Sequence, residues 1–200
     1  AISSMFTLML AMPVSAATTT VSQRIATGLD SFALLAIPFF ILSGQIMSKG
    51  GIANRLISFA KTLVGFLPGG LALINIVSAM LMGAIAGSAM ASASAMGTIL
   101  GPEMEKEGYS KEFGAAVNIT SSTTGLVIPP SNTLIVYSLA SGGVSIAALF
   151  LAGYIPGILT GLLMMIVAMI WAKKNNYPVG KRSSLKEVFV KFIDAFPSLL

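Results

Sequence analysis

"TTGLVIPPSN", residues 123–132, places a glycine, two adjacent prolines and several polar side chains in the middle of a long uncharged run. The prolines have no backbone N–H and clash with the preceding turn of a helix, so the carbonyls of Gly125 and Leu126 would lack helical partners. In hydrocarbon an unpaired carbonyl costs several kcal/mol. We therefore predict an unwound crossing between two half-helices, with carbonyls and hydroxyls converging in a buried site, as discontinuous helices do around ions and substrates.

The composition predicts an integral membrane protein. Of the 200 residues, 55% are hydrophobic and 10% are charged, against about 25% charged residues in soluble domains. The chain contains no cysteine and no histidine, which excludes disulfides, thiolate metal sites and the commonest proton relay. In so apolar a chain the net charge of +5 indicates basic loops beside a membrane, and not nucleic acid as a partner.

Four uncharged runs are long enough to hold membrane segments. They are residues 1–23, 31–48, 62–102 and 113–172. The first is expected to hold one helix that ends near Pro13, and the last to hold two crossings separated by residues 141–143. Because the chain begins with alanine and ends in an apolar run, we also expect it to be a piece of a longer protein.

Residues 69–102 are predicted to form a re-entrant hairpin with its tip at Gly87-Ser88. As one helix they would be about 51 Å long, against a hydrocarbon core of about 30 Å, whereas two arms would each be about 25 Å long. The alternative is ordinary helix packing through a row of small residues. That row is Gly83, Gly87, Ala91 and Ala95.

The basic residues favour the hairpin. If residues 13–30 lie outside and the hairpin returns to its starting side, the lysines and arginines of 49–61, 106–111 and 173–186 all lie inside, as the positive-inside rule requires. A single pass would put 173–186 on the side opposite to 49–61. The run 62–102 is therefore expected to cross the membrane an even number of times or to return to its starting side.

Two segments, 52–67 and 185–196, carry their polar residues on one helical face. Helices of this kind lie in the membrane interface with the apolar face in lipid. The alternative is that both segments are polar ends of spanning helices.

None of the acidic residues lies deep in an apolar run. They are Asp30, Glu103, Glu105, Glu107, Glu112, Glu187 and Asp194. A proton relay normally needs a carboxylate or histidine inside the membrane. Neutral oxygens beside the negative ends of half-helices favour Na⁺ instead, and the positive ends favour an anion.

Six stretches resemble the large membrane subunit of tripartite ATP-independent periplasmic (TRAP) transporters. They are LLAIPFFILSGQIM (34–47), GGIANRLISFAKTLVGFLPGGLA (50–72), GAIAGSAMASASAMGTILGPEM (83–104), EGYSKEFGAAV (107–117), GLVIPPSNTLIVY (125–137) and LFLAGYIPGIL (149–159). The resemblance implies an all-α, multi-pass elevator transporter of the bacterial inner membrane, built from two inverted repeats. This chain would hold the first repeat. Residues 1–67 would be scaffold and arm helix, 68–141 transport elements (hairpin 69–102, broken helix 113–141), and 142–200 a scaffold helix, a basic cytoplasmic loop and the start of a linker.

The resemblance also implies activity and partners. The family couples the uptake of carboxylate-bearing solutes, such as sialic acid, C4-dicarboxylates and other sugar acids, to Na⁺, without an organic cofactor or enzymatic activity. It works with a small membrane subunit, of Q type, and a soluble periplasmic substrate-binding protein. Two alternatives stay open: a dicarboxylate–Na⁺ symporter without a binding protein, and a structural membrane subunit that transports nothing.

We expect one Na⁺ between the hairpin tip and the unwound segment, where neutral oxygens supply the hard ligands that such cations prefer. The predicted cation residues are Ser88, Ser92, Thr123, Gly125, Val127 and Pro130. The predicted substrate residues are Gly87, Ala89, Ser121, Ser131 and Asn132. The alternative for each hydroxyl is that it only caps a half-helix.

Overall fold

The computed structural model describes residues 2–30 and 32–198, without the side chains of residues 32, 33, 40, 47–49 and 198. Within these ranges the chain forms helices and no strand, so the all-helical fold class is confirmed. The helices are α1 (Ile2–Ala11), α2 (Val14–Leu29), α3 (Phe32–Lys49), α4 (Ile52–Val64), α5 (Gly70–Ala86), α6 (Ala89–Lys106), α7 (Lys111–Ser122), α8 (Asn132–Ala140), α9 (Ile146–Lys174) and α10 (Leu185–Ala195). The charge argument placed Lys49 on the inner side of the membrane, but its side chain is not among those described. Residues 1 and 199–200, where the first predicted domain begins and the last one ends, are also outside the described ranges.

Residues up to Pro38 form a unit of their own. Helix α1 ends at Ala11, close to Pro13 as predicted, but α2 follows at once and was not predicted. Three of its threonines (18, 19 and 27) donate to carbonyls one turn earlier in the helix, as the Thr18 hydroxyl does to the Val14 carbonyl at 2.9 Å. A segment rich in threonine can therefore be helical without polar partners elsewhere.

Residues from Phe39 onward form a second unit, with its core around α5. Helix α5 is apolar all round and packs against α4, α6, α7 and α9. Its fully buried side chains include Leu73, Ile76 and Met82. A helix of this composition needs neighbours on several sides, so α5 anchors the hairpin in the middle of the unit.

The two amphipathic segments form α4 and α10, which pack against each other. The rings of Phe59 and Phe192 lie 5.6 Å apart, centroid to centroid. Leu56 and Ala60 on the apolar face of α4 are fully buried in protein, so the expectation that this face lies in lipid is wrong for them. The face is covered because α5 and α10 both pack on this helix.

Helix α9 is the one described helix that is long and apolar enough to span a membrane by itself. It exposes large apolar side chains such as Leu151, Ile155 and Val167, while Gly153, Gly157 and Gly161 are buried. The glycines recur every four residues and therefore share one face. That face packs on the rest of the unit, and the opposite face suits lipid.

The ends of α6, α7 and α9 meet at one end of the second unit. The rings of Tyr109 and Tyr177 stack with centroids 4.2 Å apart, and the Ser110 N–H donates to the Tyr177 hydroxyl at 3.3 Å. Burial raises the pKa of Tyr109 to about 12. Gly70 at the start of α5 and Glu107 at the end of α6 line one cavity at this end, so both arms of the hairpin begin and end on the same side of the unit.

Candidate functional site

The hairpin turns at two residues of different backbone conformation. Gly87 ends α5 with φ +59°, in the left-handed region that glycine adopts without strain. Ser88 is extended and begins α6, where its hydroxyl accepts a hydrogen bond from the Ala91 N–H at 3.4 Å. Deeper between the arms, the fully buried Ser92 hydroxyl donates to the Ala79 carbonyl at 3.1 Å. The backbone of Gly87 and Ser88 thus forms the turn, and the hydrogen bond of Ser92 joins the two arms about one helical turn away from it.

The predicted unwound segment, the interruption, is present between α7 and α8 at residues 123–131. A 3₁₀ turn at Thr123–Leu126 follows α7, and residues 127–131 are not helical. Ser131 is fully buried, and its hydroxyl donates to the Leu126 carbonyl at 2.5 Å and accepts from the Leu134 N–H at 3.3 Å. One serine therefore satisfies a carbonyl that the prolines leave without a helical partner and also caps the second half-helix.

The hairpin tip lies directly against this interruption. The Asn132 N–H donates to the Gly87 carbonyl at 3.3 Å. A Cβ on Gly87 would lie 2.8 Å from the Pro130 carbonyl oxygen, and a Cβ on Gly83 would lie 2.5 Å from the Cα of Gly125. Such close backbone contact requires glycine on the hairpin side, so the two segments form one site.

Four helix ends meet there. Helix α5 and the 3₁₀ turn after α7 end at the contact, and α6 and α8 begin at it. Helix C-termini carry partial negative charge and N-termini partial positive charge. The site therefore offers attraction to a cation and to an anion without using a charged side chain.

The predicted cation residues divide in two. Ser88, Gly125 and Pro130 are brought together: a Cβ added to Gly125 would lie 3.5 Å from the Ser88 carbonyl carbon, and the Pro130 carbonyl lies beside the tip. The Val127 carbonyl oxygen instead faces α9, 2.5 Å from where a Cβ of Gly153 would be. The remaining two cation residues bond within the protein. Ser92 clamps the arms, and the exposed Thr123 hydroxyl donates to the Thr120 carbonyl at 2.7 Å.

The predicted substrate residues divide in the same way. Gly87, Ala89 and Asn132 lie at the contact. The side-chain oxygen of Asn132 is buried and has no hydrogen-bond partner among the described residues. Ser131 holds the interruption, and the fully buried Ser121 donates to the Asn118 carbonyl at 3.3 Å. Both serines support the backbone of the site.

Other contributors were not predicted. Gly83 opposes Gly125, although the sequence placed it only in a row of small residues suited to helix packing. On α9, Gly157 lies against Ile128 in the interruption. Spacing alone shows that glycines share a face, but it does not show which partner that face meets.

An open cavity of about 810 Å³ lies beside the tip, between α3 and α6. It is lined by the hydroxyls of Ser88, Ser94 and Thr98 and by the amide of Gln45, among mostly apolar neighbours. A small polar solute would find hydrogen-bond partners there, next to the four helix ends.

Comparison with known proteins identifies relatives along the whole chain. A family model described as "Tripartite ATP-independent periplasmic transporter, DctM component" matches residues 1–200. The chain is 56% identical over 199 residues to the uncharacterized protein YgiK of Salmonella typhimurium, covering 100% of this chain and 46% of that protein. It is 44% identical over 159 residues to the C4-dicarboxylate TRAP transporter large permease protein DctM of Vibrio cholerae (78% of this chain, 35% of the relative). It is 37% identical over 179 residues to the sialic acid TRAP transporter large permease protein SiaM of the same species (90% and 42%). The chain spans less than half the length of each relative.

Proposed function

The chain belongs to the family of the DctM component of tripartite ATP-independent periplasmic transporters, and from that premise we propose that it forms part of a Na⁺-coupled importer of small carboxylates. The contact between the hairpin tip and the interruption carries the proposal. Two helix C-termini and two helix N-termini converge there, which is the arrangement that holds coupling ions and anionic substrates in secondary transporters.

Na⁺ fits the oxygens at this contact. The Ser88 hydroxyl keeps a free lone pair after accepting one hydrogen bond, and the Pro130 carbonyl lies against Gly87, the residue before Ser88. Both are hard, neutral ligands of the kind such cations prefer. With Gly125 they come from both sides of the contact, so an ion bound there would hold the tip and the interruption together.

The substrate is proposed to be a carboxylate-bearing solute such as sialic acid, a C4-dicarboxylate or another sugar acid. Two relatives are named for a C4-dicarboxylate and for sialic acid. The starts of α6 and α8 direct backbone N–H groups toward the contact, and an anion is favoured at helix N-termini. Asn132, with its unpartnered amide oxygen, is the side chain proposed to bind a substrate hydroxyl.

Transport is proposed to follow an elevator mechanism in the bacterial inner membrane, in a multi-pass protein. The hairpin is then re-entrant, with its tip inside the membrane, where irregular backbone is tolerated only when buried in protein or facing water. A small membrane subunit and a periplasmic substrate-binding protein complete the proposed assembly.

The test is uptake by proteoliposomes that contain the full transporter, its small subunit and its binding protein. Ser88→Ala should raise the Na⁺ concentration at half-maximal uptake about tenfold, because one ligand of a site that spans two segments is lost. Ser145→Ala is the matched control. Ser145 caps α9 through the same hydrogen bond, accepting from the Ala148 N–H at 3.4 Å, and its replacement should leave the Na⁺ dependence unchanged.

Three outcomes would contradict the proposal. Equal Na⁺ dependence of both variants would show that Ser88 only caps a helix. Uptake driven equally well by a proton gradient without Na⁺ would exclude sodium coupling. Uptake that does not need the binding protein would favour a symporter that works alone.

A further inference from the structure

A second cavity, of about 710 Å³, lies at the opposite end of the hairpin from its tip, between α4, the start of α5, the loop 175–184 and α10. Its cationic lining residues are Lys61, Lys181, Arg182 and Lys191, and its acidic ones are Glu107 and Glu187. Thr62, Leu71 and Ile74 also line it and are at most 6% exposed. The cavity is a basic pocket with a closed, partly apolar floor.

The basic loop 175–184 is held over this pocket by two backbone contacts and one side-chain contact. Val179 forms an antiparallel bridge with Pro68. Gly180 lies so close to the Gly65 carbonyl that a side chain there would collide with it. The Arg182 guanidinium lies 5.5 Å from the centroid of the Phe66 ring, a cation–π arrangement that orients the side chain. The pocket is therefore formed without a ligand.

Its positive charge is not neutralised by ion pairs. Among the described residues the one ion pair is between Lys111 and Glu105, at 3.4 Å, and neither residue lines the pocket. The four cations outnumber the two acids. The N-terminus of α5, which has no side-chain cap, adds partial positive charge at the same place.

We propose that this pocket binds the phosphate headgroup of an anionic phospholipid. The distribution of basic residues in the sequence predicts that this end of the unit faces the cytoplasm, where basic pockets of membrane proteins bind such headgroups. A lipid is favoured over free phosphate because α10, which lines the pocket with Glu187 and Lys191, exposes Leu185, Phe189 and Ile193 on its opposite face, as a helix in the membrane interface does. That face can contact acyl chains while Lys191 extends from the same helix to the headgroup.

The experiment measures lipid binding, so it does not depend on transport. The detergent-solubilised full permease is titrated with phosphatidylglycerol, with phosphatidylcholine and with inorganic phosphate, while thermal unfolding is followed and bound lipids are counted by native mass spectrometry. Phosphatidylglycerol should raise the melting temperature and bind in a small fixed number, and phosphatidylcholine should do neither. Lys181→Gln/Arg182→Gln should weaken phosphatidylglycerol binding about 30-fold, the loss expected for two basic residues near an anionic surface.

Lys173→Gln/Lys174→Gln removes the same charge from exposed positions at the end of α9, outside the pocket, and should bind as the unchanged protein does. If both double variants lose affinity equally, the attraction is a general surface effect and the proposal is wrong. If inorganic phosphate stabilises as strongly as the lipid, the lipid assignment is wrong. Should the first double variant fail to fold, Lys191→Gln alone must still weaken phosphatidylglycerol binding.

Discussion

Replacing Gly83 by alanine tests whether the contact between the hairpin and the interruption, here called the seam, sets the geometry of the proposed ion site. The new Cβ would lie 2.5 Å from the Cα and 3.0 Å from the nitrogen of Gly125. Carbon atoms in contact normally stand about 3.5–4.0 Å apart. Both opposing atoms belong to the backbone and cannot rotate away, so the hairpin and the interruption must separate by about 1 Å.

The effect on stability is small because two terms oppose each other. Overpacking a well-packed contact costs about 1–3 kcal/mol. Alanine in place of glycine inside a helix returns about 1 kcal/mol, and Gly83 lies inside α5. The net loss is therefore about 0–2 kcal/mol, and the protein should fold.

The effect on Na⁺ is expected to be larger. Metal-ligand distances tolerate deviations of about 0.2 Å, and the proposed ligands come from both sides of the seam. A shift of about 1 Å should thus raise the Na⁺ concentration at half-maximal uptake at least about tenfold. Gly101→Ala is the matched control, because Gly101 lies inside α6 and has no atom within 4 Å of an added Cβ.

Proteoliposome uptake at graded Na⁺ and thermal unfolding in detergent give the two readings. Gly101→Ala should keep the Na⁺ dependence and an equal or higher melting temperature. If Gly83→Ala lowers the melting temperature but leaves the Na⁺ dependence unchanged, the seam is structural only, and the reasoning that links it to the ion is refuted.

Two further predictions concern contacts around the site. Ser92→Ala should lower the melting temperature, because it removes the buried hydrogen bond to the Ala79 carbonyl, worth about 1 kcal/mol. It should not change the Na⁺ concentration at half-maximal uptake. A large change in Na⁺ dependence would show that Ser92 is a cation ligand. Met80 and Gly161 touch in the structure, so cysteines at these two positions of a cysteine-free chain should be joined by a bifunctional thiol reagent. Uptake should survive the cross-link. Loss of uptake on cross-linking would show that α5 and α9 must move apart.

The interruption was predictable because its cause is local. Two prolines remove N–H groups whatever surrounds them, and a run too long for one crossing must turn at its smallest residues. The partners were not predictable for the opposite reason. Gly83, Gly125 and Gly157 form their contacts across segments distant in sequence, and a single sequence does not say which small residues meet.

Most of the predicted site residues that do not lie at the contact are serines and threonines. Serine and threonine in helices donate to carbonyls three or four residues earlier, and Thr123 and Ser121 do so. In sequence such residues look like ligands gathered around a break. Ser88 differs because it begins a helix, where its hydroxyl accepts a hydrogen bond from the backbone and stays able to bind an ion.

The same glycines bear on whether α9 would move in the proposed elevator mechanism. The predicted division at residue 141 assigns α9 to the scaffold, and that division stays a prediction. Gly153 and Gly157 lie against the backbone of Val127 and the side chain of Ile128, at distances that leave no room for a side chain. If the interruption slid along a fixed α9 toward the start of that helix, Val127 would leave Gly153 and meet Leu149, one turn earlier on the same face. We therefore expect the proposed elevator motion to carry α9 with the hairpin, and the cross-link between positions 80 and 161 tests this expectation.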